Sequence, residues 1–333
     1  LEVRQNEFEA GGFSDTTTMD GKVVFALMGT DHSNVKADGT DSIQSAYQYT
    51  MNLNSSFSGD DNLYVRLRSG NGEGRSFTSK TFGTYLSMGS GNTDILKVDK
   101  MWYTFPVGED NTFYVGPKIE NYYMHATTPS IYKPVTKQFT LGGNGAAYGA
   151  STKTGAGWAF NADNGFAISS NVVSGNDGLL TDQQPTSWAT QVGITKPQYS
   201  ASLMVNQKYN GWEDTYYTTD LGHRRLADGA TATQQTANST NYGLRAWWRP
   251  LETGTATPSI SLGYDLSTID AANVGATIDE TDAWFVGLNW ADIFQADDKI
   301  GLAFGQPQTR EDETVDPFAY EAYYEFKAND SVT

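Results

Sequence analysis

Apolar and polar residues alternate with period two in fourteen separate stretches of this chain, and the connections between the stretches are alternately long and short. The stretches cover 22–28, 42–57, 62–68, 95–105, 112–120, 151–162 and 166–174, then 187–196, 198–208, 240–249, 258–267, 281–292, 299–305 and 318–327. Period two sends successive side chains to opposite faces of a strand, so each stretch has one dry and one wet flank. Short connections such as Ser58-Gly59-Asp60-Asp61, Gly108-Glu109-Asp110-Asn111, Asp163-Asn164-Gly165 and Gln295-Ala296-Asp297-Asp298 are rich in the residues that tight turns take. The long ones span about 29–41, 69–93, 121–150, 175–185, 209–238, 268–280 and 306–316. Turns kept tight on one side and elaborated on the other are the pattern of an antiparallel barrel crossing a membrane.

Aromatic placement separates that barrel from a soluble sandwich. In Trp284-Phe285-Val286-Gly287-Leu288-Asn289-Trp290 the two tryptophans share a face and stand roughly 20 Å apart along the strand, close to the spacing of two interfacial girdles once tilt is included. Phe318, Tyr320, Ala322, Tyr324 and Phe326 form a similar flank, as do Tyr242, Leu244, Ala246 and Trp248. A sandwich has no reason to end its apolar face in aromatics at both rims. The stretch 95–105 is less regular, with apolar residues on both parities among Lys97, Asp99 and Lys100. Either a bulge shifts its register or that wall is covered on both sides.

Composition agrees with a sheet that is wet on one face. Glycine is frequent, with 34 residues in 333, and mean hydropathy is -0.49. No apolar run is long enough for a transmembrane helix. Cysteine is absent, which removes disulfides and thiolate chemistry. Fourteen stretches are followed by another tight turn at Ala328-Asn329-Asp330 and by Ser331-Val332-Thr333, which reads as the opening of a fifteenth. Single-chain barrels have even strand numbers, so the intact protein is expected to be an all-β, antiparallel transmembrane barrel of 16 strands. The first stretch leads into a long connection, so residues 1–21 are expected on the periplasmic side as a linker from a missing domain, with the pore domain over 22–333.

The runs Glu7-Phe8-Glu9-Ala10, Gly145-Ala146-Ala147-Tyr148-Gly149-Ala150-Ser151, Gly155-Ala156-Gly157-Trp158-Ala159-Phe160 and Phe318-Ala319-Tyr320-Glu321-Ala322-Tyr323-Tyr324, with Asn329-Asp330-Ser331-Val332-Thr333, resemble cyanobacterial outer-membrane porins. These form a branch of the carbohydrate-selective porin superfamily that carries S-layer-homology domains. The resemblance covers almost the whole chain. It implies a trimeric pore in the outer membrane, in contact with lipid bilayer and lipopolysaccharide, and a tether to peptidoglycan through the missing domain. It implies passive diffusion of small ions and polar solutes, and a third outer loop folded into the barrel. No dense aromatic track for sugars is identifiable.

Period two places ten basic residues inward, Lys22, Arg66, Arg68, Lys118, Lys153, Lys208, Arg245, Arg249, Lys299 and Lys327. Inward acids are Glu120, Asp265, Glu321 and Glu325. In a chain of net charge -17 this inversion reads as a lumen favouring anions, or else as side chains merely hydrated or paired with one another. The connection 121–150 is the candidate constriction, with Tyr122, Tyr123, His125, Tyr132, Lys133 and Lys137 as anchors and Gly142-Gly143-Asn144-Gly145 for close passage along the wall. The 209–238 connection, with Trp212, Tyr216, Tyr217, His223, Arg224 and Arg225, is the second candidate.

Catalysis has little support. His32, His125 and His223 lie in connections without metal-ligand spacing, acidic pairs fall in turns, and no EF-hand or phosphate-loop spacing marks a cofactor. The acidic balance disfavours nucleic acid. Two further readings remain, a largely plugged barrel serving as a tether or surface receptor, and a soluble secreted glycan-binding β protein.

Overall fold

The structure, a computed structural model, describes residues 16–29, 43–72, 86, 92–149, 152–181, 184–210, 238–270, 280–310 and 317–329. The linker expected before Thr16, His32, the Trp212 to Arg225 candidates and the start of a fifteenth strand lie outside the described residues.

Fourteen strands form one antiparallel sheet in sequence order. They are β1 (Thr17–Met28), β2 (Gln44–Ser55), β3 (Asn62–Gly70), β4 (Lys97–Val107), β5 (Asn111–Ile119), β6 (Lys153–Asn161) and β7 (Phe166–Ser174). The second half is β8 (Thr186–Thr195), β9 (Tyr199–Tyr209), β10 (Asn238–Trp248), β11 (Ser259–Asp270), β12 (Glu280–Ala291), β13 (Lys299–Arg310) and β14 (Ala319–Glu325). Each strand bonds to its sequence neighbours, and no ladder joins β1 to β14 among the described residues. β1 begins at Thr17 rather than Lys22, because Thr17 to Gly21 already pair with Ser55 to Met51.

The irregular stretch 95–105 contains a bulge. Arg66 stands opposite Lys100 while Leu67 stands opposite Val98, so Asp99 is the extra residue on β4 and the parity changes there. A second bulge lies between Gly116 and Ile119 on β5.

Short turns at one end of the sheet are held by a device used twice. Asp61 accepts from the backbone of Phe57 (2.9 Å) and Ser58 (2.7 Å), and from the Tyr103 hydroxyl of β4 (2.6 Å). Asp298 accepts from the backbone of Ile293, Phe294 and Gln295, and from the Tyr324 hydroxyl of β14 (3.1 Å). In both cases the tyrosine comes from the strand that follows the hairpin, so the carboxylate ties a turn to its neighbour. The Tyr103 hydroxyl and then the Ser58 amide hold the Asp61 carboxyl well below the usual carboxylate range.

The two faces are unlike. On one, Trp188, Tyr242, Phe318 and Tyr320 are exposed near the end where the long connections leave. Phe166, Tyr199, Trp248, Tyr324 and Phe326 are exposed near the short-turn end, and Leu203, Leu244, Leu262 and Leu302 lie between. This apolar face is not covered by a second sheet among the described residues. Its residues are large and more than a third bare, with Leu244 at 52% and Phe318 at 62% exposure. The other face is polar yet buried, with Asn171, Ser187, Gln191, Asn206, Asn241, Arg245, Asp265 and Ser261. What buries it is the connection between β5 and β6.

Candidate functional site

That connection turns back onto the polar face and follows it through two 3-10 segments, Asn121–Met124 and Lys137–Gly142, and a helical turn, Gly145–Tyr148. It bonds to strands as distant as β3 and β14, through Tyr123 to Arg66 and Tyr132 to Glu321, so the sheet curls around it.

Three attachments fix its path. In the first, the Asn121 amide donates to Asn171, Ser187 donates to Asn121 (3.0 Å), and the backbone of Thr127 donates to Gln191 (2.9 Å). Met124 is buried there among Trp102, Ile119 and Val173. In the second, Glu321 gathers four donors, the Tyr132 hydroxyl (2.8 Å), the amides of Val135 (3.1 Å) and Thr136 (2.8 Å), and the Thr136 hydroxyl (2.7 Å). Tyr132 and Phe139 pack on Phe285 beside it. In the third, Arg245 pairs with Asp265 (2.7 Å) and donates to the Leu141 carbonyl (2.6 Å), while Asp265 accepts from the Asn144 amide (2.8 Å). The guanidinium lies 4.7 Å from the Tyr148 ring centre, and the Tyr148 hydroxyl accepts from Gln191 (2.5 Å).

Glycines on the wall give the clearance. A Cβ at Gly263 would overlap the Gly142 carbonyl, and one at Gly287 would stand 2.7 Å from the Tyr132 ring. Gly142 itself has a φ of 73°, a left-handed turn that suits glycine.

His125 is enclosed. It stacks edge-on against Tyr148 at 5.0 Å and lies within hydrogen-bond reach of the Tyr148 carbonyl (3.3 Å) and Asn171 (3.2 Å). Burial holds its pKa down at about 4, so it is neutral at pH 7. The Tyr122 and Tyr123 ring centres lie 4.3 Å apart, that of Tyr123 lies 4.7 Å from Trp102, and burial pushes both phenols up. Lys133 is exposed.

A basic group stands where β3, β4 and β5 meet this segment. Arg66 pairs with Asp99, Arg68 reaches the same carboxylate at 3.8 Å, and Lys100 pairs with Glu120. Burial, then the neighbouring Arg68, Lys100 and Arg66, lower the Lys137 pKa to about 8 against a pull upward from Glu120.

The structure therefore joins Arg66, Arg68, Glu120, Tyr122, Tyr123 and Lys137 in one place, and His125, Tyr132, Arg245 and Glu321 along the seam. Several expected lumen residues stand apart. Lys118 lies opposite Met101, which faces Val65 in the apolar register, because the β5 bulge turns it away from the inner face. Arg249 follows the end of β10, is exposed, and donates to the Pro197 carbonyl (2.6 Å). Glu325 pairs with Lys299 (2.6 Å) near the short-turn end. Lys100, Asp99, Gln191, Asn171 and Ser261 were not singled out as site residues, and their contacts depend on a bulge or on partners far along the chain. Parity alone marks the last three as inward polar residues.

No family model matches the chain. Among solved structures it is similar to a loop-deletion mutant of OmpT, an outer membrane protein of Vibrio cholerae, with TM-score 0.52 and 11% identity over 93% of this chain and 88% of that one. It is similar to OprB of Pseudomonas putida, with TM-score 0.52 and 13% identity over 92% and 77%. The fold is that of outer-membrane, porin-like β-barrels. An uncharacterized protein of Nostoc sp., alr4550, is 24% identical over all of this chain, which spans 63% of that relative's length. It is a distant cyanobacterial homologue.

Proposed function

We propose that this chain forms the wall of an outer-membrane pore through which inorganic ions and small polar solutes diffuse, narrowed by the inward segment 121–149. The observation that carries the proposal is the inversion of the two faces. Bare aliphatic side chains flanked by aromatics at both ends suit acyl chains between two interfaces, and a charged inner face suits water. The trimer and the peptidoglycan tether belong to the same reading through the resemblance to cyanobacterial porins.

The full-length protein reconstituted in planar bilayers is expected to give stepwise, ohmic conductance. A second reading, a plugged barrel acting as a tether or receptor, has one observation in its favour, the three separate attachments of the inner segment. Correctly assembled protein with negligible current would decide for it. Recovery of the native protein from water without detergent would overturn both, in favour of a soluble glycan-binding protein.

A further inference from the structure

At the end of the sheet from which the long connections leave, the tips of β3, β4 and β5 enclose a cavity of about 280 Å³. Its lining includes Arg68, Lys97, Lys118, Asp99, Asn92 and Thr152. Three cations and one carboxylate therefore line it among the described residues. That carboxylate is shared, since Asp99 pairs with Arg66 as well as approaching Arg68. Of the other acids nearby, Glu120 is engaged by Lys100 and by the Thr152 hydroxyl (2.8 Å), and Asp94, two residues from Asn92, accepts from the Tyr47 hydroxyl (2.6 Å).

The cavity is also shaped. Asn92 accepts from the Gly70 amide (2.9 Å) and donates to the Arg68 carbonyl (2.9 Å), which ties the chain before β4 to the end of β3. Lys118 gives one of its three donors to the Val98 carbonyl (2.8 Å) and has others for a ligand. A planar guanidinium fork with two ammonium groups presents the charge and the donors that a tetrahedral oxyanion accepts. We propose that this cavity binds a phosphate-class oxyanion, either inorganic phosphate or the phosphate of a lipid headgroup.

The site does not depend on conduction, and its test is a binding measurement. Full-length protein in phosphate-free detergent solution is titrated calorimetrically with inorganic phosphate and, separately, with short-chain phosphatidic acid. Saturable binding is expected for at least one. Arg68→Gln/Lys97→Gln/Lys118→Gln is expected to weaken it tenfold or more, and Lys299→Gln, at the opposite end of the sheet, to leave it unchanged. Binding of inorganic phosphate assigns a solute site, and binding of phosphatidic acid alone assigns a headgroup site. If the triple variant does not fold, Lys97→Gln/Lys118→Gln, at two exposed positions, is expected to weaken binding about threefold. No saturable binding of either probe, or binding undiminished in the folded variants, overturns the proposal. Neither result bears on whether the pore conducts.

Discussion

Glu321 shows how much can rest on one side chain. Its two oxygens take four donors from Tyr132, Val135 and Thr136, and the carboxylate is nearly buried. Glu321→Gln keeps the shape but puts an amide N–H where two Thr136 donors point, so the docked state is expected to lose roughly 3 kcal/mol. Trypsin cleavage after Lys137, which Gln138 follows and the docked segment shields, should then speed up at least tenfold, and an unchanged rate would show that Glu321 is not the latch. Asp265→Ala is expected to act in the same direction at Asn144, by about 3 kcal/mol, because it leaves the Arg245 charge buried without its partner. Gly263 was legible only as a strand glycine. Its requirement for no Cβ comes from the Gly142 carbonyl, and that approach exists only after the chain has folded.

At the scale of elements, the inner segment carries its own pH dependence. His125 is neutral and buried when docked, with a pKa of about 4, and ordinary, about 6.5, when released. The released form binds more protons between those values, so docking is strongest above about pH 6.5 and weakens as pH falls toward 4. Protease accessibility of residues 121–149 should rise over that window, and His125→Gln should flatten the rise. A profile identical in the variant would mean that His125 is not the titrating group. Lys137, with its pKa near 8, is charged at pH 7 and mostly neutral at pH 9. Any anion preference measured as a reversal potential should therefore decline over that interval in the wild type and stay flat in Lys137→Gln. The expectation that 121–150 folds inward rested on its aromatic and basic anchors and its glycines, together with the resemblance to porins whose third outer loop folds inward. Tyr132, Tyr122 and Tyr123 do pack against the wall, and Lys133 does not.

For the whole molecule, lipid contact and selectivity are separate questions. Leu244 lies on the bare face between the two aromatic ends of the sheet, so Leu244→Arg should cost about 2–4 kcal/mol in denaturant unfolding from lipid vesicles. A cost near zero would place Leu244 against water. Selectivity is expected to reside with Arg66, Arg68 and Lys137 rather than with Arg245, whose charge is matched by Asp265 at 2.7 Å. Arg66→Gln/Arg68→Gln should move the reversal potential in a salt gradient toward cations, while Arg249→Gln at the short-turn end should leave it in place. Equal effects from both would mean that the basic group on β3 does not govern permeation.

The sequence by itself determined the fourteen strands, the alternation of tight and elaborate connections and which flank of each strand is apolar. All three follow from period-two geometry and turn chemistry, which act over a few residues. Tertiary structure decided the rest. It placed Asp99 in a bulge, turned Lys118 from the inner register, matched Arg245 with Asp265 and drew Tyr132 to a carboxylate 189 residues away. A charge counted on one strand does not reveal whether an opposite charge waits on another, and that pairing sets the difference between a wall that attracts anions and one that holds its own loop.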